Sequence, residues 1–230
     1  MNPMLELENV SFSYDGKTDV LSNLSLRIDE GEKVGLVGGN GSGKSTLLWC
    51  ALGLLHSRGI VRLFGQKRNS ESLRRMGVVF QNPEDQLFMP SLLDDLTLPL
   101  LNRGVAPETA IAKATSVLNQ AGLATLSNRP ACQLSLGQRK RAAIAAALVT
   151  SPLFLILDEP TAELDGRSRR ELASALKSLP IAMLAASHDL EFLAQTVQRI
   201  VALDNGRLCQ SAPTSAFLDD TARLEQLRLI

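Results

Sequence analysis

The residues with the clearest chemical meaning form one stretch: Gly38, Gly39, Asn40, Gly41, Ser42, Gly43, Lys44, Ser45 and Thr46. They fit the pattern G-x-x-x-x-G-K-[ST], with Gly38 as its first glycine. Polyphosphate packs several negative charges into a small volume. Glycines let backbone N–H groups converge on those oxygens without Cβ obstruction. Lys44 has the reach for the terminal phosphates, and the Ser45 hydroxyl is a hard oxygen ligand suited to Mg²⁺. A helix beginning here would add its positive N-terminal end.

A second chemical signal closes the apolar run Leu153-Phe154-Leu155-Ile156-Leu157 with Asp158 and Glu159. A buried strand that ends in two carboxylates delivers them to the sheet edge where open α/β folds bind ligands. Asp158 is suited to hold Mg²⁺ through water, and Glu159 to take a proton from attacking water as general base. A third signal, Leu134-Ser135-Leu136-Gly137-Gln138, precedes an alanine-rich segment. Taken alone, Ser135 and Gln138 are an S-x-x-Q capping box. A capped helix start also offers a hydroxyl and free N–H groups to an anion. With a phosphate loop upstream and the Asp-Glu pair downstream, the anion reading is preferred.

These groups need a framework to hold them, and strand and helix patterns alternate along most of the chain. Leu5 to Tyr14 reads as a strand paired with Leu24–Ile28, and Lys33–Val37 as a short apolar strand leading into the glycine loop. Thr46–Leu55 reads as a helix. Further strands are expected near Ile60–Leu63, Gly77–Phe80, Leu153–Leu157, Ile181–Ala186 and Ile200–Leu203. Pro107 opens a helix that Gly122 closes. Ser168 and Glu171 suggest a capping box for a helix ending at Pro180, and Asn205-Gly206 signals a hairpin. The alternation implies an α/β fold with a mostly parallel sheet. Residues from about 83 to 150 break it, as a helical lobe inserted between strands. No internal repeat is visible.

The 230 residues carry 24 Lys+Arg and 24 Asp+Glu, so no overall positive charge points to nucleic acid. No apolar run approaches the roughly 20 residues of a membrane span. The start has neither the basic region nor the apolar core of a secretory signal. Cys50, Cys132 and Cys209 form no metal-ligand spacing and read as buried free thiols. His56 reads as a solvated helix end, Trp49 as packing, and Arg139-Lys140-Arg141 as a solvated helix face.

Taken together, the motifs resemble the ATP-binding cassette (ABC) family over essentially the whole chain. Gly38–Ser45 resembles the Walker A loop, Leu153–Glu159 Walker B and Leu134–Gln138 the signature. Ala162-Glu163-Leu164-Asp165 is similar to the D-loop, His188 to the switch histidine, Gln81 to the Q-loop glutamine and Tyr14 to the adenine-stacking aromatic. Leu136 stands where the signature has a glycine, and Ala162 where the D-loop has a serine. The resemblance implies a P-loop NTPase (RecA-like) parallel sheet core with an N-terminal antiparallel β subdomain and an inserted helical lobe, all one nucleotide-binding domain over residues 1–230. It implies ATP and Mg²⁺ as cofactors. Ser45, Gln81 and Asp158 would serve the metal, with Glu159 and His188 as the catalytic pair. It also implies a head-to-tail dimer, in which Ser135, Gly137 and Gln138 complete the partner's site and Asp165 lies at the contact.

The stretch Gln81-Asn82-Pro83-Glu84-Asp85-Gln86-Leu87-Phe88 resembles the Q-loop and acidic Q-helix of energy-coupling factor (ECF) ATPases. That likeness implies an importer subunit at the cytoplasmic face of the membrane, docked on integral membrane subunits and paired with a second ATPase, as a homodimer. The substrate read from it is cobalt or nickel, with biotin or another vitamin as the alternative. A soluble ABC ATPase acting on DNA or ribosomes is the competing class. It would need a long inserted coiled coil or a second cassette with a basic linker, and neither is found. A regulatory cassette without hydrolysis conflicts with Lys44 and Glu159. No nucleic-acid partner is expected.

Overall fold

The computed structural model describes residues 3–230. Strand β1 (Pro3–Phe12) and β2 (Leu21–Asp29) lead into β3 (Lys33–Val37), then helix α1 (Lys44–Leu52). The chain continues through β4 (Arg58–Leu63), β5 (Gln66–Lys67), α2 (Ser70–Arg74) and β6 (Met76–Val79). Three helices follow without an intervening strand: α3 (Leu92–Leu101), α4 (Pro107–Gln120) and α5 (Leu136–Leu148). Strand β7 (Phe154–Asp158), α6 (Gly166–Ser178), β8 (Ala182–Ala186) and α7 (Leu190–Thr196) restore the alternation. Strands β9 (Arg199–Asp204) and β10 (Arg207–Pro213), then α8 (Thr214–Asp219) and α9 (Thr221–Gln226), complete it.

Two sheets result. One is antiparallel with strand order β2-β1-β4-β5, and the other runs β10-β9-β3-β8-β7-β6. All pairs in the second sheet are parallel except β10 with β9. Its central strands β3, β7 and β8 are buried at every position, as a sheet covered on both faces requires. Alternation along β7 divides the core. Phe154 and Ile156 join the antiparallel sheet and α1, while Leu155 and Leu157 join the cluster containing α3, α4 and α5. The parallel sheet therefore has a different partner on each face, and its strand ends lie between them. This is the α/β architecture read from the sequence, with its antiparallel sheet and helical insertion.

Several details differ from that reading. Helix α1 starts two residues earlier than expected and stops at Gly53, whose φ of 82° ends it in the left-handed conformation. Ser168 does not open α6. Asp165 does, its carboxylate accepting from the backbone N–H of Arg167 and Ser168, while the Ser168 hydroxyl donates back to it. An ionised carboxylate three residues upstream is the stronger cap, and these bonds pull the Asp165 carboxyl below its ordinary range. Only Cys50 is a buried thiol, raised to about 11 by burial, whereas Cys132 and Cys209 are exposed. Cys209 sits on the outward face of edge strand β10. His56 is exposed beyond α1, and Trp49 is half-buried. At the expected hairpin, Asn205 and Gly206 have φ of 46° and 72°, the left-handed pair that a two-residue turn requires.

Candidate active site

The glycine loop joins the end of β3 to the start of α1. Gly38 has φ 157°, and a Cβ there would lie 2.3 Å from the Leu203 carbonyl oxygen. Gly43 has φ 104°, and its Cβ would lie 2.8 Å from Leu21 Cδ2. Both positions therefore exclude side chains by conformation and by contact. Gly43 caps α1 without a side-chain hydrogen bond, so the first-turn N–H groups stay open to an anion. Lys44 is buried and its Nζ donates to the carbonyls of Gly38 at 2.9 Å and Gly39 at 3.3 Å, folding the ammonium into its own loop. Ser42 Oγ is buried with no hydrogen-bond partner among the described residues.

Asn40, Gly41, Ser42, Gly43, Lys44, Ser45 and Thr46 line a cleft of about 450 Å³ with Tyr14, Gln81, Glu159 and His188. Tyr14 is 60% exposed, yet it is braced: its hydroxyl lies 3.2 Å from Thr46 Oγ1, and its ring meets Phe12 edge-on at 4.8 Å. An adjoining cavity of about 460 Å³ shares Ser45 and Gln81 and adds Asp158.

Asp158 and Glu159 are both buried at the end of β7. Burial raises the Asp158 carboxyl above the ordinary range; a hydrogen bond from Ser45 opposes this, the neighbouring Glu159 charge adds to it, and Lys44 and Lys140 oppose it. Among the described residues, Asp158 Oδ1 has no hydrogen-bond partner. A buried carboxylate oxygen left open beside a serine hydroxyl and a glutamine fits a hard divalent cation with oxygen ligands, as Mg²⁺ is. Glu159 is held differently. Its Oε2 accepts from Ser187 Oγ at 3.3 Å, from the His188 backbone N–H at 3.3 Å, and lies 2.9 Å from His188 Nδ1. The residue has φ 45°, a left-handed conformation that is strained for glutamate.

Ser135, Gly137, Gln138 and Asp165 line neither cavity. Ser135 and Gln138 form the full capping box at the start of α5, each side chain bonded to the other's backbone N–H. Leu136 stands at the first helical position without positive φ and packs partly into the core, so the missing glycine costs no backbone strain there. Gly137 abuts Ser168 of α6, which places the start of α5 beside the Asp165 cap.

Three groups at this site escaped the sequence reading. Ser187 is fully buried against Glu159, and its oxygen also accepts from the Asp189 N–H at 3.1 Å. Arg169 of α6 pairs with Asp189 at 3.1 Å, tying the Asp165 segment to the His188 segment. Lys140 is not on a solvated face but buried, between the Gln81 and Glu159 carbonyls.

The family profile described as ABC transporter matches residues 21–162, a span that holds the phosphate loop and the carboxylate pair. This chain belongs to the ABC transporter ATPases. It is 36% identical over 247 residues to the nickel import ATP-binding protein NikO of Rhodobacter capsulatus, with 100% of this chain and 97% of that protein covered. Among solved structures it is similar to cbiO1 of Clostridium perfringens, described as part of the ABC transporter complex cbiONQ. The TM-score is 0.86 with 28% identity, over 100% of this chain and 96% of that one. It is also similar to a dimeric post-hydrolysis state of the ATP-binding cassette MJ0796 bound to ADP and Pi. There the TM-score is 0.81 with 29% identity, over 92% and 99% of the two chains. Among the described residues of the ATPase, no helix is long and apolar enough to cross a membrane.

Proposed function

We propose that this ATPase is the nucleotide-hydrolysing subunit of an ECF-type importer for cobalt or nickel, a single nucleotide-binding unit that works as a homodimer on the cytoplasmic face of the membrane. The observation that carries the substrate reading is the end-to-end similarity to both a nickel import ATP-binding protein and cbiO1. The dimer reading rests on a division within the site. Phosphate loop, carboxylates and His188 share adjoining cavities, and α5 adds Leu136, Arg139 and Lys140 to one of them, while Ser135, Gly137 and Gln138 line neither and Ser135 is exposed. A second copy presented head-to-tail would bring its own Ser135, Gly137 and Gln138 to this cleft.

The geometry supports the following mechanism. Loop N–H groups and Lys44 hold the β- and γ-phosphates, and the Tyr14 ring offers a face to adenine. Ser45 and Gln81 directly, and Asp158 through water, would hold Mg²⁺, which neutralises phosphate charge when bound. Glu159 accepts the proton of the attacking water. His188, bonded through Nδ1 to Glu159 at 2.9 Å, keeps its other ring nitrogen free to face the γ-phosphate.

Tyr14→Ala should weaken ATP binding by about 1–3 kcal/mol, the range of base–aromatic stacking. Inorganic triphosphate should bind both proteins alike. Equal losses for the two ligands in a fluorescence titration would mean that the ring only braces α1.

The importer reading is tested by purifying the ATPase from its own membranes under mild detergent. Integral membrane proteins should co-purify, and elemental analysis of the complex should find cobalt or nickel. A bound vitamin would replace the metal reading. Recovery of the ATPase with no membrane partner would overturn the importer reading itself.

A further inference from the structure

Lys140 belongs to none of the motifs above, yet it is the most deeply buried ionisable side chain at the site, 2% exposed. It lies in α5, a little over one turn after Ser135. Its Nζ donates to the Gln81 carbonyl at 2.5 Å and to the Glu159 carbonyl at 3.3 Å. Those two residues follow the ends of β6 and β7, which are neighbours in the sheet. The ammonium therefore bridges the two strand ends from which the site's side chains depart.

We propose that Lys140 is a positioning residue for hydrolysis, its ammonium fixing the backbone of Gln81 and Glu159 so that both side chains face the nucleotide. The proposal rests on the roles given above to those two residues. Glu159 makes the need plain. Its left-handed backbone is strained, and a strained residue persists only where its surroundings over-determine it. Its N–H is fixed to the Ala186 carbonyl at 2.8 Å, its carboxylate is held by Ser187 and His188, and Lys140 holds the remaining backbone group.

Electrostatics point the same way. Burying an ammonium is unfavourable unless charge and hydrogen bonds compensate it, and an apolar residue of similar volume would pack there more cheaply. Burial lowers the amine's affinity for its proton, and Glu163, Glu159 and Asp158 oppose that, in this order. Glu163 is exposed and has φ 63°, so an acidic residue also occupies an unfavourable backbone position beside this amine. The buried stripe Lys140, Ala143, Ile144 and Ala147 shows the same lysine replacing what would otherwise be core.

The test compares Lys140→Met, Lys140→Gln and wild type, each assayed for kcat, KM, affinity for a fluorescent ATP analogue and thermal unfolding. Met fills the space without a donor, so kcat should fall about 10- to 100-fold, the scale of a small misplacement of reacting groups. Nucleotide affinity should stay within about threefold, and unfolding should remain cooperative, because the phosphate loop is untouched. Gln can donate to the Gln81 carbonyl and should recover part of the lost kcat, so it carries the test should the Met protein not fold. The inference is overturned by a folded variant with wild-type kcat, or by losses of kcat and affinity that simply track lowered stability. Glu159→Gln run alongside separates the two claims. If it still hydrolyses ATP, the underlying site assignment fails; if it is inactive while Lys140→Met is not, only this inference fails.

Discussion

Lys44→Ala should lose ATP binding, with affinity falling by at least about 100-fold. Net worth for a hydrogen bond to a charged group is about 1.5–3 kcal/mol, and Lys44 would supply such contacts to two phosphates. At about 1.4 kcal/mol per factor of ten, even the lower figure for both contacts reaches that loss. The structure adds a reason to expect a clean result. In the cleft as it stands, Lys44 is already folded against the Gly38 and Gly39 carbonyls, so its ammonium is ordered before ligand arrives. The substitution leaves the loop's glycines in place and removes only the two Lys44 hydrogen bonds to its carbonyls. Thermal unfolding should therefore change little while titration with labelled ATP shows no saturation. Wild-type affinity in a folded Lys44→Ala protein would remove the phosphate loop from the account.

Glu159→Gln separates binding from chemistry. The amide matches the carboxylate in size and can still accept from Ser187 Oγ and the His188 N–H, so the strained turn should survive. It cannot take a proton from water at neutral pH, and general-base assistance is worth about 10²–10⁴-fold. Removing this charge also relieves repulsion against the phosphates and against Asp158, whose carboxyl the Glu159 charge helps push upward. Hydrolysis should nearly stop while ATP affinity holds or rises. Steady-state phosphate release and equilibrium nucleotide binding check the two halves separately. Hydrolysis at the wild-type rate would place the general base elsewhere, with His188 the next candidate.

The parts of this site that were legible from sequence share a local cause. Close contact at Gly38 and Gly43 demands glycine, so the loop announces itself in consecutive residues. The buried run Phe154–Leu157 ends abruptly in acid because the strand ends at the cavities there, with Asp158 and Glu159 still buried. What stayed hidden depends on contacts between distant segments. Nothing near Ser187 or Asp189 shows that the first faces Glu159 and the second pairs with Arg169. Lys140 was hidden by its neighbours, because Arg139 and Arg141 make the run look like a solvated face. Helical spacing held the correcting signal, since Lys140 shares the stripe of Ala143, Ile144 and Ala147. At α6 the sequence pointed to Ser168 as the cap, and only the fold shows that the Asp165 carboxylate holds the free N–H groups.

The head-to-tail composite site is the centre of the account, and Glu159→Gln gives its most direct measurement. Size-exclusion chromatography with light scattering should show this variant as a monomer without nucleotide and as a dimer holding two ATP once ATP and Mg²⁺ are added. Adding Ser135→Arg to the same chain should return it to a monomer that still binds ATP at its own phosphate loop. A Glu159→Gln protein that binds ATP fully yet stays monomeric at every concentration, or a dimer indifferent to Ser135→Arg, would contradict the composite site.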